Sequence, residues 1–92
     1  MSNKPLFPLG QIVATPGAFD VLGEANITPS QLIARHVVGD WGQLCAEDKK
    51  LNDEAVENGE RTLSVYEVGG ETIWVITEWD RSASSIILAS EY

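Results

Sequence analysis

Apolar positions recur at helical spacing in the first half of the chain and alternate with polar positions in the last third. Thr15 and Thr28 each precede a proline, a pair typical of a helix start in which threonine is the N-cap and proline the first helical residue. Gln31 stands three positions after Thr28 and completes a capping box. The predicted elements of this half are a short strand at 11–14 and helices at 16–25 and 29–38.

The second of these helices carries the only histidine of the chain. At about 100° per residue, one face of this helix is formed by Leu32, Ile33, His36 and Val37. Gly39 follows as the expected helix stop, with a left-handed backbone. We expect the Asp40 side chain to bond to nearby backbone N–H groups or to Arg81, and Trp41 to seal the helix end against the sheet.

A third helix is predicted over 46–58, where most side chains are charged and the amphipathic pattern is weak. Leu51 and Ala55, with Val56 beside them, are the positions expected to face inward. Asn58 and Gly59 end this helix.

The last third predicts strands. Segments 61–68 and 71–77 flank Gly69-Gly70, which is typical of a hairpin with a two-residue turn. This turn places Val65 opposite Trp74 and Leu63 opposite Ile76. The face that these four share is the more apolar one and is expected to pack on the helices. The other face is mixed and is the one expected to be open to solvent; it holds Ser64, Tyr66, Ile73, Val75 and Thr77.

A third strand is predicted over 84–90, joined to the hairpin by a polar loop. The predicted fold class is therefore α+β: one domain over 1–92, with N-terminal helices packed on a C-terminal antiparallel sheet of three strands. The segment at 11–14 is a candidate fourth strand. The expected core consists of Leu32, Val37, Leu63, Val65, Trp74 and Ile76.

Charge changes this picture most. Fourteen acidic residues face six lysines and arginines, which gives a formal net charge of −8. Residues 40–60 contain seven of the acidic residues against Lys49 and Lys50. Direct binding of nucleic acid is not expected, because phosphate contacts need Lys and Arg. The acidic segment is either a solvated helix face or a surface that meets a basic partner.

Cysteine and membrane signals are sparse. The single Cys45 cannot form an internal disulfide and fits a reducing compartment. No apolar run approaches the roughly 18 residues of a membrane span, and the opening "MSNKPLFPLG" lacks a signal-peptide core. A cytoplasmic protein without a membrane contact is expected. No metal-ligand spacing or phosphate-binding loop is present in the sequence, so no cofactor is predicted.

Two polar clusters could carry chemistry. One is formed by His36, Asp40 and Trp41, and the other lies in the loop that includes Thr77, Glu78, Asp80, Arg81 and Ser82. A helix end and a sheet-end loop can meet at one edge of such a domain. There, His36 could act as a base, a carboxylate could orient it and Arg81 could hold an anion, a set that suits RNA cleavage. The candidate catalytic residues are His36, Asp40, Thr77, Arg81 and Ser82, and structural roles for all of them remain open.

The stretches "LGQIVATPGA", "ARHVVGDWG", "LNDEAVENGERTLSVYEV" and "IWVITEWDRSASSIIL" resemble a family of small bacterial proteins of plasmids and integrated mobile elements. Its members are called plasmid-related, and some carry the label of a type I restriction subunit. The resemblance implies a mobile-element context. Trp79 departs from it, since a small residue is expected between Glu78 and Asp80.

Three hypotheses of function follow. The first is a non-enzymatic accessory protein that acts by protein contact, of the kind that inhibits host restriction or CRISPR defence. Its candidate partner-binding residues are Glu47, Asp48, Asp53, Glu54, Glu57, Glu78, Trp79, Asp80 and Arg81. The second is a small α+β endoribonuclease using His36 and Arg81. The third is a structural or dimerising module that uses the mixed face of the sheet.

Overall fold

The computed structural model of the protein describes residues 4–92; the first three residues of the N-terminal segment considered for export lie outside this range. The elements in chain order are β1 (Gln11–Ala14), α1 (Pro16–Glu24), α2 (Pro29–His36), α3 (Ala46–Asn58), β2 (Thr62–Val68), β3 (Glu71–Thr77), β4 (Ala83–Leu88) and a 3₁₀ turn at Ala89–Glu91. The predicted α+β class is confirmed, and α3 has the predicted bounds.

The two Thr-Pro pairs begin helices as the sequence predicts. The Thr15 hydroxyl accepts a hydrogen bond from the backbone N–H of Ala18. Thr28 and Gln31 form the full capping box, with each side chain bound to the backbone N–H of the other residue. These contacts satisfy N–H groups that have no partner within the helix.

The strands form one mixed sheet in the order β1-β4-β3-β2. The hairpin register is confirmed, with Val65 opposite Trp74 and Leu63 opposite Ile76. β4 pairs antiparallel with β3, and β1 joins as the fourth strand on the far side of β4. β1 runs parallel to β4, because α1 and α2, α3 and the hairpin all intervene between these two strands and return the chain to the same end.

The predicted inner and outer faces of the hairpin are interchanged. Ser64, Tyr66, Ile73, Val75 and Thr77 are buried against the helices, whereas Leu63, Val65 and Trp74 are only half-buried on the other face. The hydroxyl groups on the inner face find partners inside the core, so their polarity does not force them to the surface. The third functional hypothesis required the mixed face to be exposed, and that part of it is wrong.

The predicted core is correct in part. Leu32, Val37 and Ile76 are buried. The cluster at the centre of the molecule consists of Ala18, Leu22, Leu32, Ile33, Tyr66, Val68, Ile73, Val75 and Ile86. On α3 the inward positions are Asn52 and Ala55, and the expectation for Leu51 is wrong because its side chain is 58% exposed.

Asn52 faces inward because its amide completes the outer edge of β2. Its side-chain nitrogen donates to the Leu63 carbonyl at 2.6 Å, and its oxygen accepts from the Leu63 N–H at 3.1 Å. Two residues along, the Val65 N–H donates to the Trp41 carbonyl and the Gln43 N–H donates to the Val65 carbonyl. The edge of the sheet at β2 is therefore closed by a side chain and by a passing loop.

Within the described part of the chain, no helix has the length and apolar character needed to span a membrane.

Candidate functional site

His36 and Thr77, one residue from each polar cluster, meet by a hydrogen bond in the interior. His36 is fully buried and contacts three hydroxyl groups on two strands, β2 and β3. Its Nδ1 lies 2.6 Å from Ser64 Oγ, and its Nε2 lies 2.9 Å from Thr77 Oγ1 and 3.4 Å from Thr62 Oγ1. These hydroxyls belong to neighbouring positions of β2 and β3, which turn the same face toward α2.

The hydrogen bonds fix the tautomer of this histidine. The Ser84 hydroxyl donates to the Leu9 carbonyl, so it must accept from Thr77, which lies 2.7 Å away. Thr77 has then used its only proton and must accept from Nε2–H of His36. His36 is therefore the Nε2–H tautomer, and its Nδ1 accepts from the Ser64 hydroxyl.

Aromatic side chains cover the imidazole. Phe7 meets the ring edge-on at 5.3 Å between centroids, and Trp41 does so at 5.5 Å. Burial, with Arg81 nearby, lowers the pKa of His36 to about 4. His36 is thus neutral at pH 7, and a substrate would have to displace Phe7 or Trp41 to reach it.

Arg81 holds the end of α3. Its Nη1 donates to the carbonyls of Glu60, at 2.7 Å, and Glu78, and its Nη2 donates to the carbonyl of Ala55 at 3.3 Å. The guanidinium also lies 5.0 Å from the centre of the Phe7 ring. The C-terminal end of α3 is the negative pole of the helix dipole, so a cation is stabilised there.

Asp40 has a structural partner that the sequence reasoning did not name. Its carboxylate forms two hydrogen bonds with Arg35, at 2.7 and 3.3 Å, and a third with the Gly42 N–H. The Arg35 guanidinium lowers the pKa of Asp40. As expected, Asp40 accepts a hydrogen bond from a backbone N–H group. The arginine that it binds, however, is Arg35 rather than Arg81.

The stretch from Gly39 to Trp41 ends α2 largely as predicted. Gly39 has φ +87°, the left-handed conformation. Trp41 is 2% exposed, stacks on Phe7 at 6.3 Å and donates its indole N–H to Asp53 of α3. Trp41 thus seals the helix end and ties it to the acidic helix.

The acidic candidates on α3 are all exposed: Glu47, Asp48, Asp53, Glu54 and Glu57. Asp53 is also bound to Trp41, whereas Glu47, Glu54 and Glu57 lie on the side of the helix opposite Asn52. The outward face of α3 therefore carries three carboxylates, with Lys50 between Glu47 and Glu54.

The loop between β3 and β4 places Trp79 and Asp80 outside and Arg81 inside. Trp79 is 67% exposed, and Arg81 adopts φ +60°, which is unusual for a residue with a side chain. Asp80 accepts from the N–H and the hydroxyl of Ser82, and these hydrogen bonds lower its pKa. The conformation of the loop is thus stabilised by the hydrogen bonds of Arg81 to backbone carbonyls and by those of Ser82 to Asp80.

A shallow groove of about 260 Å³ runs between α3 and β2. It is lined by Leu44, Asp48, Leu51, Asn52 and Leu63. Apolar surface therefore adjoins the acidic helix.

Within residues 4–92, no group of three or more His, Cys, Asp or Glu side chains is arranged to hold a metal ion. Comparison with protein-family models, with curated proteins and with solved structures finds no match. The resemblance to plasmid-related proteins stays a prediction.

Sequence reasoning missed Phe7, Thr62 and Ser64 as partners of His36, and Ser84 as the residue that accepts from Thr77. The signal for them was present. A histidine inside an apolar stripe needs hydrogen-bond partners from the surface it faces, and hydroxyl residues alternate along the strands that supply that surface.

Proposed function

We propose that the protein is a small non-enzymatic accessory protein that acts by protein–protein contact through an acidic surface. This surface consists of Glu47, Glu54 and Glu57 on α3 together with Glu78, Trp79 and Asp80 of the β3–β4 loop. The observation that carries the proposal is the Arg81 clamp. By binding carbonyls of Ala55, Glu60 and Glu78, it joins the loop to the end of α3.

The chemistry of this surface favours a basic partner with an apolar contact. A Trp side chain that is two-thirds exposed and flanked by carboxylates offers a large rigid anchor within a negative field. The field speeds the encounter with a positive partner and weakens as the salt concentration rises. In a mobile-element context, the proposed partner is a component of a host restriction or CRISPR system, which the protein would inhibit.

The buried imidazole weighs against the alternative, an endoribonuclease using His36 and Arg81. A general base must reach its substrate and titrate near the working pH, whereas His36 is enclosed and has a pKa of about 4. The guanidinium N–H groups of Arg81 donate to backbone carbonyls and are therefore already engaged. The nuclease stays an untested prediction, and the contact proposal agrees better with these positions.

The test is phage plating on bacteria with an active restriction or CRISPR system, with and without expression of the protein. Wild type is expected to raise plating, and the double reversal Glu54→Lys/Glu57→Lys to abolish the gain. The matched control is Glu24→Lys/Glu71→Lys, which changes the net charge equally at exposed positions away from α3. The control is expected to behave as wild type.

A second arm incubates RNA with the purified wild type, His36→Ala and Arg81→Ala. Two results together would replace the contact proposal with the nuclease. The wild type would cleave RNA and either alanine substitution would abolish the cleavage, and the charge reversal at Glu54 and Glu57 would leave phage plating unchanged.

A further inference from the structure

Residues 5–19 carry no ionisable side chain, although the whole chain has a net charge of −8. This segment also holds four large apolar side chains that are exposed: Leu6, Ile12, Val13 and Phe19. Two copies of a strongly acidic protein repel each other wherever their carboxylates meet. The uncharged segment is a surface on which a second copy meets little of that repulsion.

β1 lies within this segment and forms an open edge of the sheet. The N–H groups of Gln11 and Thr15 donate to Ser82 and Ile86, on the β4 side. Because bonding alternates along a strand, the N–H and C=O groups of Ile12 and Ala14 point the other way. No strand lies there, and these groups have no hydrogen-bond partner among the described residues.

The opposite edge of the sheet differs. The outward groups of Leu63 and Val65 on β2 are bound by Asn52 and by the Trp41–Gln43 segment. β2 also contains an exposed charged residue, Glu67. One edge is thus protected against pairing, and the other has neither a cover nor a charge of its own.

We propose that two copies of the chain pair through β1, antiparallel and about a two-fold axis at Val13. In this register Ile12 faces the partner's Ala14 and Ala14 faces the partner's Ile12. These are the residues whose backbone groups point outward, so the two pairs exchange four hydrogen bonds. Val13 faces the partner's Val13 across the axis, at the close spacing of a non-hydrogen-bonded pair.

The register also explains where the pairing stops. Gly10, with φ +65°, turns the chain before β1, and Pro16 begins α1 after it. Proline has no N–H to donate, so the ladder ends with Ala14. Because β2 is closed, the eight-stranded sheet cannot add further copies, and the assembly closes as a dimer.

One carboxylate does reach this edge. Glu91 accepts hydrogen bonds from the Thr15 hydroxyl and the Leu88 N–H. In the proposed register Thr15 lies across from the partner's Gln11, so Glu91 is brought near an uncharged amide. The partner's Glu91 lies at the other end of the short ladder.

A strand of four residues buries less than the roughly 800 Å² per partner of a stable interface. The expected dimer is accordingly weak and reversible, with dissociation in the range of about 10 µM to 1 mM. Sedimentation equilibrium over that range is expected to show the wild type passing from monomer to dimer.

Val13→Asp tests the axis, because it brings two carboxylates face to face there. The matched control is Leu51→Asp, which adds the same charge at an exposed apolar residue of α3; Val13 is 43% and Leu51 58% exposed. We expect Val13→Asp to remain monomeric and Leu51→Asp to dimerise as the wild type does. An equimolar mixture of Val13→Asp and Val13→Lys is expected to recover the dimer, because opposite charges then meet.

Hydrogen exchange supplies a measurement without substitution. The amides of Ile12 and Ala14 are expected to exchange more slowly at high protein concentration, while exposed amides of α3 are unchanged. A wild type that stays monomeric up to about 1 mM, or a dimer that Val13→Asp leaves intact, would overturn the proposal.

Discussion

Lowering the pH is expected to destabilise the protein through His36, and the structure gives the size of the effect. Burial lowers the pKa of His36 from 6.5 to about 4 in the folded state. Between these values the unfolded chain binds a proton that the folded protein does not. The stability contributed by the neutral histidine is therefore complete above pH 6.5 and decreases as the pH falls toward 4.

Each unit of pKa difference corresponds to about 1.4 kcal/mol, so the full loss between pH 6.5 and 4 is about 3 kcal/mol. The physical cause lies in the hydroxyl network. A proton on Nδ1 removes the acceptor that Ser64 now uses, and Phe7 and Trp41 keep water from solvating the new charge.

Urea unfolding at a series of pH values, followed by tryptophan fluorescence, measures this loss. The comparison is His36→Gln, because an amide offers one donor and one acceptor but does not titrate. Asp40 and Asp80 also have lowered pKa values, so protonating them at still lower pH reduces the stability of the protein further. Both residues are present in the two proteins, so their effect cancels in the difference. Parallel stability curves for the two proteins between pH 6.5 and 4 would refute the burial of a neutral His36.

Two further pairs of substitutions test the packing. Trp41→Ala is expected to destabilise by about 3–5 kcal/mol in thermal unfolding, and Trp74→Ala by clearly less, since Trp74 is half-buried on the open face; equal losses would contradict the face assignment. Gly42→Ala is expected to cost more than about 2 kcal/mol, because φ is +78° and a Cβ would lie 1.9 Å from the Val65 carbonyl oxygen. Gly39→Ala has only a flexible side-chain end nearby and is expected to cost about 1 kcal/mol; the reverse order in urea unfolding would contradict both backbone assignments.

Local signals in the sequence predicted the elements well. The Thr-Pro pairs, the capping box at Thr28 and the turn at Gly69-Gly70 each act within a few residues, and the structure has all of them. The register of the hairpin followed from the turn alone. Such features are set by backbone chemistry that does not depend on the rest of the fold.

The choice between the two faces of the hairpin depended on distant residues and was therefore wrong. Ranking faces by apolar character favoured the side of Leu63 and Trp74. Ser64 and Thr77 are nevertheless inside, because His36 of α2 and Ser84 of β4 supply their hydrogen bonds. A polar side chain with a partner is as compatible with a core as an apolar one, and no pattern within the hairpin reveals that partner.

Candidate site residues were recognised as a group but not in their roles. His36 and Thr77 were expected to meet and do so. The sequence could not show that Phe7 would cover them, since Phe7 lies far away in the chain. Likewise, the three carbonyls that Arg81 binds come from α3, from the α3–β2 connection and from its own loop. Backbone acceptors cannot be recognised from the pattern of side chains.

The parallel pairing of β1 with β4 has a consequence for how the chain folds. The Ser84 hydroxyl binds the carbonyl of Leu9, 75 residues away, whereas Asn52 and Leu63 are 11 residues apart. Contacts close in sequence form first because they lose less chain entropy. During synthesis, β1 leaves the ribosome before β4 has been made and cannot pair until then. We therefore expect the hairpin and α3 to form before β1 docks, and the β1–β4 ladder to be the first part of the sheet to open, which hydrogen exchange of the β1 amides would show.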